Sequence, residues 1–178
     1  MSSGLRARLR AETRADHDMT EAAFARFDIR TAEGLAGFLA AHHRATGAVL
    51  DAIEGRLPEG FSPPPDARAM LAADLAALGH GVPPPMAPVA ATAPAAPVGL
   101  IYVLAGSRLG NQMIRRNWSQ SDDMDVRAAG AYFGARGLDD HARSFLRAVD
   151  AGNGLDADAV VAAAHLGFRT FARAADMS

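Results

Sequence analysis

Alternation of apolar and polar residues at period two is scarcely found along this chain, while alanine is abundant and β-branched residues are sparse. That pattern predicts an all-α protein. A first helix is expected from about Leu5 to Phe27, with Leu5, Leu9, Ala23, Phe24 and Phe27 available for burial. Thr31, followed by Glu33 in the first turn, opens a second helix that continues to about Glu54, where Gly55 and Pro58 close it. The stretch LPEGFSPPPD is a loop by its glycine and prolines. ARAMLAADLAALG, ending at Gly79, forms a third helix. Residues 83–97 are a proline- and alanine-rich connector, expected to be partly extended and mobile. A helix from about Val98 to Trp118 follows. Ser121, with Asp122 and Asp123 behind it, is expected to cap the next, which reaches about Ala135. GLDDHARSFLRAVDAG is another helix, stopped at Gly152, and Asp156 caps the last, AVVAAAHLGFRTFARAA. No second core flanks the connector, so residues 1–178 read as a single domain.

The helix between Val98 and Trp118 is unusual in carrying Gly106 and Gly110 one turn apart on one face, in YVLAGSRLGNQMI. Each costs about 1 kcal/mol relative to alanine in a helix interior. Backbone is wanted there in place of side chains. Two explanations stand on sequence alone: a neighbouring helix crossing closely, which the spacing by itself favours, or a flat ligand lying against the helix.

Composition narrows the field. Hydrophobic residues make up 49% of the 178, enough to fill a core, and a net charge of −2 argues against a general nucleic-acid binder. The absence of cysteine excludes disulfides, thiolate metal sites and a cysteine nucleophile. MSSGLRARLRAETR is basic without an apolar core behind it, so no secretory signal is expected. No apolar run approaches the roughly 18 residues that span a bilayer. A soluble cytoplasmic protein without a membrane partner is the expectation.

Six histidines are present, at 17, 42, 43, 80, 141 and 165, and none forms a two-histidine metal motif on one helix. His42 and His43 point about 100° apart, so at least one is expected in solvent. His80, His141 and His165 read, with them, as structural or surface residues. His17 has different company. Glu21 lies four residues on, Thr13 and Arg14 lie four and three back, and Arg10 returns to nearly the same azimuth. A carboxylate can orient an imidazole by its second nitrogen, and arginines can meet an anionic ligand. The alternative, which spacing alone favours, is a solvated charged stripe with an incidental histidine.

LRAETRADHDMTEAAF, Leu9 to Phe24, resembles the first helix of the heme oxygenase family, with His17 at the position of the proximal heme ligand. ADLAALG, Ala73 to Gly79, is similar to a segment common in bacterial members, and YVLAGSRLGNQMI is similar to their distal helix. The three matches occur in the family's order and at about its spacing. The resemblance implies heme sandwiched between a proximal helix carrying His17 and a distal helix bent at Gly106 and Gly110. It also implies Glu21 beside the proximal imidazole, and Arg10 and Arg14 near the propionates. Ser107 and Asn111 line the distal side. Ser107 stands as in bacterial relatives, where animal members have an aspartate. Ala105 and Asn111 depart from the family, which usually has an acidic residue before the first glycine and glycine or alanine after the second.

The activity so implied is oxidative cleavage of heme, both substrate and cofactor, to biliverdin, carbon monoxide and ferrous iron. It needs O₂ and an external electron donor, a ferredoxin or a reductase. The runner-up is a non-catalytic heme-binding or heme-transfer protein with the same fold. A thiaminase-II-like enzyme shares the fold but relies on a cysteine nucleophile, which is lacking here. A plain helical interaction protein would bind no heme.

Overall fold

The computed structural model describes residues 4–110, 112–151 and 154–178. Asn111, and the expected stop at Gly152, lie outside the described residues. Within them the chain is all-α: ten helices and no strand. No helix among them is long and apolar enough to cross a membrane.

The expected first helix is two: α1, Leu5–Glu12, and α2, Arg14–Phe24. Thr13 parts them. Its buried hydroxyl donates to the Leu9 carbonyl at 2.7 Å, a local bond of the kind that bends helices. Arg10 and His17 therefore do not share one continuous helix face. Helix α3, Ala32–Ile53, starts where expected, because the Thr31 side chain accepts from the Gly34 amide. Helix α4 is Arg68–Ala77, followed by Gly79 at φ +77°, a left-handed conformation that glycine adopts without strain.

The connector after α4 is extended but not loose. The Arg56 guanidinium reaches the carbonyls of Ala52, Ala91 and Ala93, and Val89 donates to Ala48 of α3. Ala91 and Ala95 are buried beneath it. The last residues of the connector enter α5, Ala96–Gly110, where Pro97 sits in the first turn and costs no hydrogen bond. Helix α6 is Gln112–Ser119.

The segment after Ser121 also differs from expectation. Asp123 is the cap of α7, Met124–Ala128, accepting from Asp125 and Val126. Ser121 instead donates to the Arg30 carbonyl. The chain then breaks into α8, Ala131–Gly134, whose first amides are held by Asp74 of α4 at 2.8 Å. Asp74 is 2% exposed, so its carboxylate works inside the core, where burial raises its pKa. Helix α9 is Arg136–Asp150, and α10, Ala157–Asp176, begins on the Asp156 cap as expected.

The core is built around the contact of α5 with α10. These helices approach to backbone distance. A Cβ on Gly99 would lie 2.0 Å from the Val160 carbonyl oxygen, and one on Gly167 2.9 Å from Val103 Cγ2. On its other side α5 is fastened by buried Arg108, whose guanidinium reaches Asp139 and the carbonyls of Tyr132 and Ala135. Arg115 of α6 adds two bonds to the same Asp139 carboxylate. Hydrogen bonding to Arg115 outweighs partial burial and holds that carboxyl below the usual range.

Side chains pack in two clusters, one around α5, α9, α10 and the later part of α3, the other around the start of α3 with α4, α7 and α8. Phe24 and Phe27 touch both. Because α5 and α10 approach this closely, Gly99→Ala forces the helices apart. A loss of about 3 kcal/mol is expected, read as a fall in Tm of roughly 6–12 °C on thermal denaturation.

Candidate functional site

At the seam between the two clusters lies a cavity of about 370 Å³, within the roughly 300–1,000 Å³ range of ligand pockets. One wall is α2, presenting His17, Glu21 and Phe24. Another is α5, presenting Val103, Gly106, Ser107 and Gly110. Phe38 and His42 of α3, with Phe168 and Phe171 of α10, line it as well, and Met113 and Ile114 of α6 join the lining. Met113 is 72% exposed and marks the rim.

The glycines divide by what their missing side chains would meet. Gly99 and Gly167 serve the α5–α10 crossing. Gly106 and Gly110 have nothing within 4 Å of an added Cβ. No helix presses on that face. The bare backbone of α5 looks into open space that the cavity claims, so helix crossing does not explain this pair.

Helix α2 is held to α10 by Asp16, the residue before His17. Its carboxylate accepts from His165 Nδ1 at 2.6 Å and from Arg169 Nε at 3.1 Å. Thr20 adds a bond to the Phe168 carbonyl. Burial alone would raise the Asp16 carboxyl, but the bonds from His165 and Arg169 outweigh it and leave it lowered. His165 thus has its charged partner across the helix interface, not along its own helix.

His17 stands at the cavity edge, with its side chain about half exposed. Its ring meets Phe168 edge-on, 5.7 Å between centroids. Glu21 approaches Nε2 at 3.7 Å and Asp18 approaches Nδ1 at 3.6 Å. Neither distance is a hydrogen bond. Both carboxylates are close enough to take an imidazole N–H after a small side-chain movement. The three residues also place ligand atoms within 4.8 Å of one another, but all are exposed, as acidic surface groups commonly are.

Of the residues singled out in the sequence, His17, Glu21, Gly106, Ser107 and Gly110 come together on this cavity. The Ser107 hydroxyl donates to the Leu104 carbonyl at 3.0 Å. Arg14 is exposed, 3.9 Å from Asp18, and neither it nor exposed Arg10 is part of the lining.

His42 is the residue that sequence reasoning passed over. It is 4% exposed, whereas His43 beside it is only partly buried. Its ring stacks on Phe38 at 4.1 Å and meets Phe24 and Phe171 edge-on at 4.9 and 5.5 Å. Nδ1 donates to the Phe38 carbonyl at 3.2 Å. Burial, with a smaller contribution from the Arg108 charge, lowers its pKa to about 4. The one available signal was the i, i+4 spacing from Phe38, which lets the two rings stack on one helix face.

Compared with models of known protein families and with curated proteins, the chain finds no match.

The state of His42 has a measurable consequence. The unfolded chain binds a proton at this residue below about pH 6.5, while the folded one does so only near pH 4. Its share of stability is therefore fully present above pH 6.5 and is lost as pH falls toward 4. That share is on the order of 3 kcal/mol. Urea denaturation across this window should show the decline in the native protein and a flatter profile in His42→Phe.

Proposed function

We propose that the protein is a heme oxygenase, cleaving heme to biliverdin, carbon monoxide and ferrous iron with O₂ and electrons from an external donor. The observation that carries this reading is that His17 and the side-chain-free faces of Gly106 and Gly110 open into one cavity. The family resemblance of the two helices that bear them supports it. The residues present suit the ligand. An imidazole stands at one wall, bare main chain at another, and Phe38, Phe168 and Phe171 supply the apolar surface that a porphyrin needs.

Heme, when bound, supplies the iron and the oxidisable ring. The chain's own residues do the rest. His17 would hold the iron through one nitrogen, with Glu21 or Asp18 accepting from the other and fixing its orientation. A neutral imidazole does not push strongly for O–O cleavage, unlike a thiolate. Gly106 and Gly110 would leave the α5 main chain free of side chains where the ring would lie. Val103, Phe168 and Phe171 keep water away. Arg173 is exposed and Arg169 is engaged by Asp16, so Arg173 is the freer of the two for a propionate.

One feature favours the runner-up, a protein that binds or transfers heme without cleaving it. The Ser107 hydroxyl is already committed to Leu104, so it does not offer its proton to the cavity. Hemin, an electron source and air distinguish the readings. Growth of the biliverdin band is expected. A hemin spectrum that persists unchanged points to the carrier, and failure to take up hemin removes both.

Two variants probe the walls separately. His17→Ala should lose the imidazole-ligated heme spectrum, and an unchanged spectrum removes His17 from the site. Gly110→Leu should keep the fold, since its side chain meets open space, yet reduce hemin binding by about tenfold or more through lost volume. Normal biliverdin yield from that variant counts against the proposal.

A further inference from the structure

The cavity's walls are mostly apolar, and among their polar members His42 is the buried one that the proposed mechanism does not use. Its Nδ1 faces a carbonyl, which can only accept, so that nitrogen must carry the proton. The buried ring is neutral at ordinary pH, and Arg108 is the charged group that acts on it. In the neutral ring the second nitrogen, Nε2, is then a bare acceptor. Among the described residues nothing donates to it. The aromatic rings around it, Phe24, Phe38, Phe171 and Tyr132, hold the imidazole in place on every side that they cover. Three of those four also line the cavity.

A fixed, unpartnered acceptor in a largely apolar pocket selects by what it lacks. A ligand that turns C–H edges toward it leaves it unsatisfied, and one that offers an N–H or O–H satisfies it. Intact heme has all four nitrogens on iron and no donor in its ring. A ring-opened, iron-free tetrapyrrole carries protons on several nitrogens. We propose that His42 is a specificity-determining residue that accepts a hydrogen bond from the open-chain tetrapyrrole, so that the cavity retains the product by a contact that heme does not make. This rests on the heme-cleavage reading of the same cavity.

The test is a pair of absorbance titrations, one with hemin and one with biliverdin, on the native protein, His42→Phe and His42→Gln. His42→Met serves as a second apolar replacement should His42→Phe not fold. The apolar variants are expected to weaken biliverdin binding by about five- to tenfold, the effect of one lost hydrogen bond. Hemin affinity should change by clearly less and its spectrum stay unshifted, since no bond to heme is lost, so the preference for biliverdin over hemin falls by about fivefold. His42→Gln keeps an acceptor and should recover part of the biliverdin affinity. Parallel losses for both ligands would mean that His42 merely packs, and equal affinities throughout would mean that Nε2 is idle. An altered hemin spectrum would make His42 an iron ligand. Each of these three overturns the proposal while leaving heme binding in place. A native protein that takes up neither ligand overturns the heme reading and this inference together.

Discussion

The backbone contact between α5 and α10 is the constraint from which the site follows. At Gly99 and Gly167 the two helices meet with no room for a side chain. That fixes which way α5 is rotated. With Gly99 pressed on α10 and Arg108 fastened into the polar cluster of Asp139, the helix has no freedom to turn. Gly106 and Gly110 then look into the cavity. Four glycines on two helices thus do opposite things. One pair lets helices meet, and the other keeps a surface bare. An interior packed to crystal density leaves no such surface by accident, because any side chain free to fill it would contribute apolar contact.

The polar network around α5 explains why an arginine can stand in the middle of a glycine helix. Arg108 is buried, but its donors are answered by a carboxylate and two carbonyls, and its charge lies over the Tyr132 ring at 4.7 Å. The carbonyls come from α8 and the residue that follows it, and the start of α8 depends on the buried Asp74. A chain of satisfied polar groups thus runs from α4 through α8 and α9 to α5. Breaking any one link leaves a buried charge without its partner, which is costlier than never having had the pair.

Features that depend on near neighbours in the chain were legible before any coordinates. Thr31 and Asp156 cap their helices because a short oxygen-bearing side chain can reach amides two or three residues on. The stretches around His17 and the glycine pair stood out in the sequence too, but spacing alone favoured a solvated stripe for one and a helix crossing for the other. What could not be read depended on partners far away in sequence. Asp74 is an unremarked acid in an apolar helix until α8 arrives 57 residues later. His42 differs from His43 in sequence only by standing four residues after Phe38, and tertiary packing is what buries it more deeply. Whether Gly106 and Gly110 met a helix or a void was equally a question about the rest of the fold. The break at Thr13 is an intermediate case, since a threonine hydroxyl can bond back within a helix or leave it straight.

That break also gives the walls of the cavity unequal strength. Helix α2 has no fully buried residue, in contrast to α5, α3 and α10. Separated from α1 at Thr13, it can lift without dragging the N-terminal turns. Its attachment to α10 is mainly the Asp16 pair, Thr20 and the flank of Phe24. Opening there would uncover Phe24 and the rings it packs against but leave the contact of α5 with α10 in place, so it costs less than global unfolding. A ligand could therefore enter on this side without disturbing the contact of α5 with α10.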